Sequence, residues 1–153
     1  MDHKEPTAIA TDRFNATVAE WMHSPAVTIR ETTVLPEARR IMREQGIRRL
    51  PVVNAAGDLI GIVTERDIIR ISDSHEYDVR DYNLQHRVGD LPIRAIMSRD
   101  VARVAPDTPI VEVARLLLKH RIGGVPVCDG ERIVGVITES DLFRLIIEAV
   151  TDE

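Results

Sequence analysis

The chain has 153 residues, 44% of them hydrophobic and 29% charged, with a net charge of −5 and a single cysteine. That is the composition of a soluble globular chain, either one compact domain or two small units sharing a core, and it rules out a disordered one. It also excludes an internal disulfide framework and a membrane span of about 18 apolar residues, and the acidic total argues against a general nucleic-acid binder. Aromatic residues are only 3%, so the core is expected to be aliphatic and partly built from sheet. Met1 to Ala10 is polar and has no apolar stretch of the signal-peptide kind, which points to a cytoplasmic protein.

Residues 1–11 read as a loose tail. Asp12 to Met22 has Phe14, Val18, Trp21 and Met22 at spacings that share one helical face. Val27 and Ile29 mark a short extended segment. Thr32 or Thr33 is then placed to cap a helix running to Gln45, with Pro36 in its first turn and Gly46 as its stop. Arg49 to Val53 and Leu59 to Val63 are β-branched runs joined by Asn54-Ala55-Ala56-Gly57-Asp58, a hairpin pattern. A helix follows from Thr64 to about Ile71. Residues 72–90 are polar and acidic and read as a linker.

The same order then returns. Val101 to Val104 is extended, and Thr108 is placed to cap a helix with Pro109 at its first position. Gly124 to Cys128 and Arg132 to Ile137 form a second hairpin, and a last helix runs from Thr138 to about Val150. The duplication is visible in the letters. Leu50-Pro51-Val52-Val53 recurs as Val125-Pro126-Val127-Cys128, Trp21-Met22 as Ile96-Met97, and Gly61-Ile62-Val63-Thr64-Glu65-Arg66-Asp67 as Gly135-Val136-Ile137-Thr138-Glu139-Ser140-Asp141. The offset is 75 positions up to the Pro pair and 74 from the Thr pair, a single slip inside the hairpin turn. That is the mark of a duplicated structural unit. The expected fold is mixed α/β (α+β): two β-α-β-β-α repeats related by a pseudo-twofold axis in one module. The first repeat spans 12–71 and the second 91–153.

Thr64-x-x-Asp67 and Thr138-x-x-Asp141 each stand where a strand hands over to a helix. One reading is a capping threonine with an acidic residue at the third helical position. The other is a helix start offering amides and a hydroxyl to a phosphate while the carboxylate accepts hydrogen bonds from a ribose diol. Both can hold together, since a capping hydroxyl keeps a second hydrogen-bonding capacity.

The whole succession resembles a tandem pair of cystathionine β-synthase (CBS) domains. It runs from short strand through capped helix and hydrophobic-Pro-Val strand to hydrophobic-Gly-hydrophobic-hydrophobic-Thr-x-x-Asp. The matching stretches are Trp21-Met22 through Ile71 and Ile96-Met97 through Ile147, about two-thirds of the chain. The resemblance implies a regulatory module that binds an adenosine-containing ligand (AMP, ADP, ATP or S-adenosylmethionine) in clefts between the repeats. It further implies ribose contacts for Asp67 and Asp141, and phosphate or ribose contacts for Thr64 and Thr138. Leu50, Pro51, Val52, Val125, Pro126 and Val127 would lie against adenine. Val27, Thr28, Ala102 and Arg103 would complete the walls.

The repeats differ at one informative place. Arg48-Arg49 precede Leu50-Pro51, whereas Gly123-Gly124 precede Val125-Pro126. Guanidinium groups can engage phosphate in fork geometry and glycines cannot, although Gly124 would admit a ligand close to the backbone. Any two sites should therefore be unequal, and Arg66 against Ser140 adds to the asymmetry.

The five histidines and Cys128 show no metal-ligand spacing, and no nucleophile or phosphate-loop motif is present, so neither catalysis nor a metal is expected. Ile68, Ile69, Ile71, Leu142, Phe143, Leu145, Ile146 and Ile147, with Leu116-Leu117-Leu118, exceed what one packed face requires. The excess points to a homodimer. Two other classes fit the letters: a structural or partner-binding dimer without ligand, and an RNA-binding regulator. The protein target is not legible.

Overall fold

The computed structural model describes residues 14–73 and 89–151. The tail, the start of the first expected helix, most of the linker, both tyrosines, and His3, His75 and His86 lie outside the described residues. The elements in chain order are α1 (Val18–Trp21), β1 (Ile29–Arg30), α2 (Leu35–Gln45), β2 (Arg49–Val53), β3 (Leu59–Thr64) and α3 (Glu65–Asp73), followed by α4 (Ile110–His120), β4 (Gly124–Asp129), β5 (Arg132–Thr138) and α5 (Glu139–Thr151). A short 3-10 turn, Ile93–Ala95, precedes α4. This is mixed α+β structure with two small sheets.

The chain forms two compact units. One is Val27–Val101; the other joins Met1–Ala26 to Ala102–Glu153. In the Val27–Val101 unit, β1 runs parallel to β2, and β2 pairs antiparallel with β3, Leu50 opposite Val63 and Val52 opposite Gly61. Along β3 the residues alternate buried and half-buried, the period of two expected of a strand covered on one face. Its core gathers Leu50, Val52 and Val63 from the sheet, Leu35, Ala38 and Met42 from α2, Ile68 from α3, and Ile93 and Met97 from the later segment. Leu50 and Ile68 are fully buried, each contributing about 1.5–3 kcal/mol by leaving water.

The other unit holds the β4–β5 hairpin, with Val125 opposite Ile137. Its core is Val18, Val104, Ile110, Val113, Leu117, Val125, Val127, Ile137 and Leu145. The segment preceding each repeat is thus exchanged. Trp21-Met22 belongs with β4, β5, α4 and α5, and Ile96-Met97 belongs with β1, β2, β3, α2 and α3.

Four local expectations need correction. The first helix shrinks to Val18–Trp21, because the amides of Val18 and Ala19 bond to the carbonyls of Thr108 and Pro106 (2.9 and 2.8 Å). Neither Thr32 nor Thr33 caps α2. Its N-cap is Val34, since Leu35 N–H donates to Leu91 O (3.1 Å) and the Thr33 carbonyl accepts from Ile93 (2.7 Å). The N-cap of α4 is Pro109 rather than Thr108, whose hydroxyl instead accepts from the Ala105 amide (3.0 Å). Val101–Val104 is not a strand; Val104 makes a single parallel bridge to Val127. At the first helix and at α2, long-range backbone bonding replaced the local arrangement that the sequence offered. The helix stop at Gly46 is as expected, with φ of 64° in the left-handed region where glycine is favoured.

Candidate functional site

The two strand-to-helix junctions are built alike in their backbone. Glu65 N–H donates to Arg48 O (2.8 Å), and Glu139 N–H donates to Gly123 O (3.0 Å), so each helix start is tied to the residue before its hairpin. Each junction is also pinned to an exchanged segment. Ile62 and Ser98 trade two backbone hydrogen bonds (2.9 Å each). Val136 and His23 do the same at 3.0 and 2.9 Å. Ser98 and His23 stand 75 positions apart and hold equivalent places in the two repeats.

The side chains diverge from this common frame. In the Val27–Val101 unit, Thr64 N–H donates to Asp67 Oδ2 (2.8 Å), and Asp67 N–H donates to Thr64 Oγ (3.2 Å). This is a reciprocal capping box, which satisfies two amides that the helix leaves unpaired. Asp67 is half-buried, and among the described residues no cation contacts its carboxylate. In the other unit, Thr138 gives both its amide and its hydroxyl to Asp141 Oδ2, at 2.8 and 3.1 Å. Asp141 is fully buried, the one charged residue among those described to be so. Its second oxygen, Oδ1, lies 2.7 Å from His23 Nε2 and 3.4 Å from Arg144 Nη1. Neither contact completes a hydrogen bond to it.

The other expected ligand residues fall into three groups. Leu50, Val52, Val125 and Val127 are buried in the two cores, with Pro51 and Pro126 buried beside them. Val27 is exposed and Thr28 half-buried ahead of β1, Ala102 packs against the second core, and Arg103 pairs with Glu131 across 3.4 Å. Gly124 opens β4 and is buried, while Arg49 opens β2 and is half-buried. Arg48, exposed, lines a depression of about 420 Å³ with Arg39, Arg43, Glu65, Ile47 and Ile69. Neither Thr64 nor Asp67 borders that depression.

Sequence reasoning missed His23, which reads as a scattered surface histidine. The signal was present: His23 follows Met22 as Ser98 follows Met97, so any residue at that place sits beside a junction. Cys128 is 5% exposed, and burial pushes its thiol upward in pKa, with Arg103 opposing. Among the described residues no group of three metal-ligating side chains comes together, and no helix is long and apolar enough to cross a membrane.

Fold and junctions together define a duplicated α+β module. The chain belongs to the CBS domain family, whose model matches residues 18–74 and 88–148. A CBS domain-containing protein of Dictyostelium discoideum is 31% identical over 87% of this chain and 92% of its own length. The homoserine O-acetyltransferase of Methanococcoides burtonii is 36% identical over 86% of this chain, which spans only 24% of that enzyme. Among solved structures, a CBS domain pair in complex with 5′-methylthioadenosine and S-adenosyl-L-methionine superposes with a TM-score of 0.72 and 30% identity, covering 87% of this chain and 97% of that one.

Proposed function

We propose that this protein is a regulatory sensor of an adenosine-containing ligand, an adenine nucleotide such as AMP, ADP or ATP or an S-adenosylmethionine-type molecule. It works without catalysis, as a cytoplasmic homodimer. The observation that carries the reading is Asp67. One oxygen is fixed by the Thr64 amide, while the half-exposed carboxylate retains acceptor capacity at the start of α3. A ribose diol needs such a group, and the helix start favours an anion nearby. Arg48 and Arg49 supply positive charge at the opening of β2. The solved pair with 5′-methylthioadenosine and S-adenosyl-L-methionine supports the ligand class. Regulation follows from differential binding: a ligand that prefers one arrangement of the helices shifts the population toward it and alters the contact with a target.

Exposed apolar side chains support the homodimer. Leu118 is 80% exposed, and Phe143 and Ile147 are each 60% exposed on α5. The test of the ligand is thermal unfolding with AMP, ADP, ATP, S-adenosyl-L-methionine and NADH. A ligand at 100 times its Kd adds about 2.7 kcal/mol, a Tm shift of roughly 5–10 °C at this size. A flat response to every compound refutes the sensor reading and favours a structural dimer.

A further inference from the structure

The two junctions place different residues beside equivalent carboxylates. Asp67 has Ser98 at the paired backbone position, and among the described residues no cation contacts it. Asp141 has His23 there, with the imidazole nitrogen 2.7 Å from Oδ1. A carboxylate without any solvent exposure cannot accept a hydroxyl from an incoming molecule until something moves. The groups on Oδ2 are a backbone amide and the threonine that ends β5, both held by the hairpin. The groups near Oδ1 differ: the His23 and Arg144 side chains are 57% and 52% exposed. The imidazole approaches Oδ1 to 2.7 Å without completing a hydrogen bond to it. His23 is the nearer of the two groups on Oδ1, so its departure is the one that makes room at that oxygen.

We infer that His23 is a cover over the Asp141 carboxylate, occupying the place of a ligand hydroxyl, so that ligand fills the Asp67 site first and enters at Asp141 only when the imidazole leaves. The inference rests on the adenosine-ligand reading and deepens it: one chain carries an open site and a gated one, set by His23 against Ser98. Oδ1 lacks a completed hydrogen bond even with the imidazole beside it, a deficit that a ribose hydroxyl makes good. Arg144, 3.4 Å away and on α5 itself, remains as a counter-charge in both states.

The experiment is calorimetric titration of wild type and His23→Ser, the residue the other repeat uses, with AMP and with S-adenosyl-L-methionine separately. Thermal unfolding confirms that the variant folds. The expected result is one ligand per wild-type chain, lost in Asp67→Asn, and a second site in His23→Ser tighter by at least about tenfold. Two equal wild-type sites, or weaker binding in His23→Ser, overturn the inference. If neither compound binds either protein, the adenosine reading fails, and carbodiimide labelling of carboxylates followed by peptide mass spectrometry decides the cover separately. Asp141 should label faster in His23→Ser than in wild type. Equal labelling in the two proteins rejects the cover.

Discussion

Gly135 lies directly beneath the carbonyl of His23, so close that a β-carbon on the glycine would stand 2.7 Å from that oxygen. The equivalent Gly61 faces Met97, where a β-carbon would meet Sδ at 2.6 Å and the Ser98 carbonyl at 3.0 Å. Both glycines exist for close approach rather than for an unusual φ, and both admit an exchanged segment onto a hairpin.

Gly135→Ala should therefore destabilise more than Gly61→Ala. The His23 carbonyl is fixed by its bond from the Val136 amide, whereas a methionine sulfur can swing aside. Overpacking of this kind costs about 1–3 kcal/mol. Chemical denaturation of the two variants is the check, and equal midpoints would contradict the ranking.

Substitution of the two aspartates should separate stability from binding. Asp141→Ala strips acceptors from the Thr138 amide and hydroxyl in a buried place, a loss of about 1–3 kcal/mol. Asp67→Ala removes a half-exposed cap and costs about 0.5–2 kcal/mol, yet it should weaken ligand binding more. Tm and Kd measured on both variants test the crossover, which fails if one variant is worse on both.

Cys128 should be nearly inert in the native protein. Its thiol is buried in β4 and raised in pKa mainly by desolvation, so little thiolate exists at neutral pH. A thiol that is harder to ionise when folded stabilises fully below the unfolded thiol's pKa, and that contribution is lost as pH rises through the folded value. Reaction with a disulfide reagent at pH 7.5 should be slow until denaturant is added. Native labelling at the unfolded rate would contradict the burial.

Phe143→Glu with Ile147→Glu should convert a dimer to a monomer while leaving the secondary structure intact. Both side chains are 60% exposed on α5, outside the core that holds Leu145. Light scattering after size exclusion gives the mass directly. A wild type that is already monomeric removes the homodimer from the proposal.

The hairpins were legible to within a residue or so because their signals are local: β-branched runs, a turn that uses Asn54 as an acceptor for the Ala56 and Asp58 amides, and Gly130 with φ of 63°. The Thr-x-x-Asp boxes were legible for the same reason, since capping acts over three residues. Helix starts at α2 and α4 were misplaced because their free amides and carbonyls are met by residues far along the chain, which no local pattern records.

The duplication, the hairpin strands and the two Thr-x-x-Asp boxes were carried by the letters alone. The exchange of leading segments was not. It places Met22 and His23 on the hairpin of the second repeat and Met97 and Ser98 on that of the first, through backbone bridges spanning more than thirty residues. Within that exchange two similar aspartates meet different neighbours: Asp141 is fully buried with the His23 imidazole 2.7 Å from Oδ1, and Asp67 is half-buried. Burial and electrostatic environment depend on which side chain arrives from a distance, and that is a property of the packed chain.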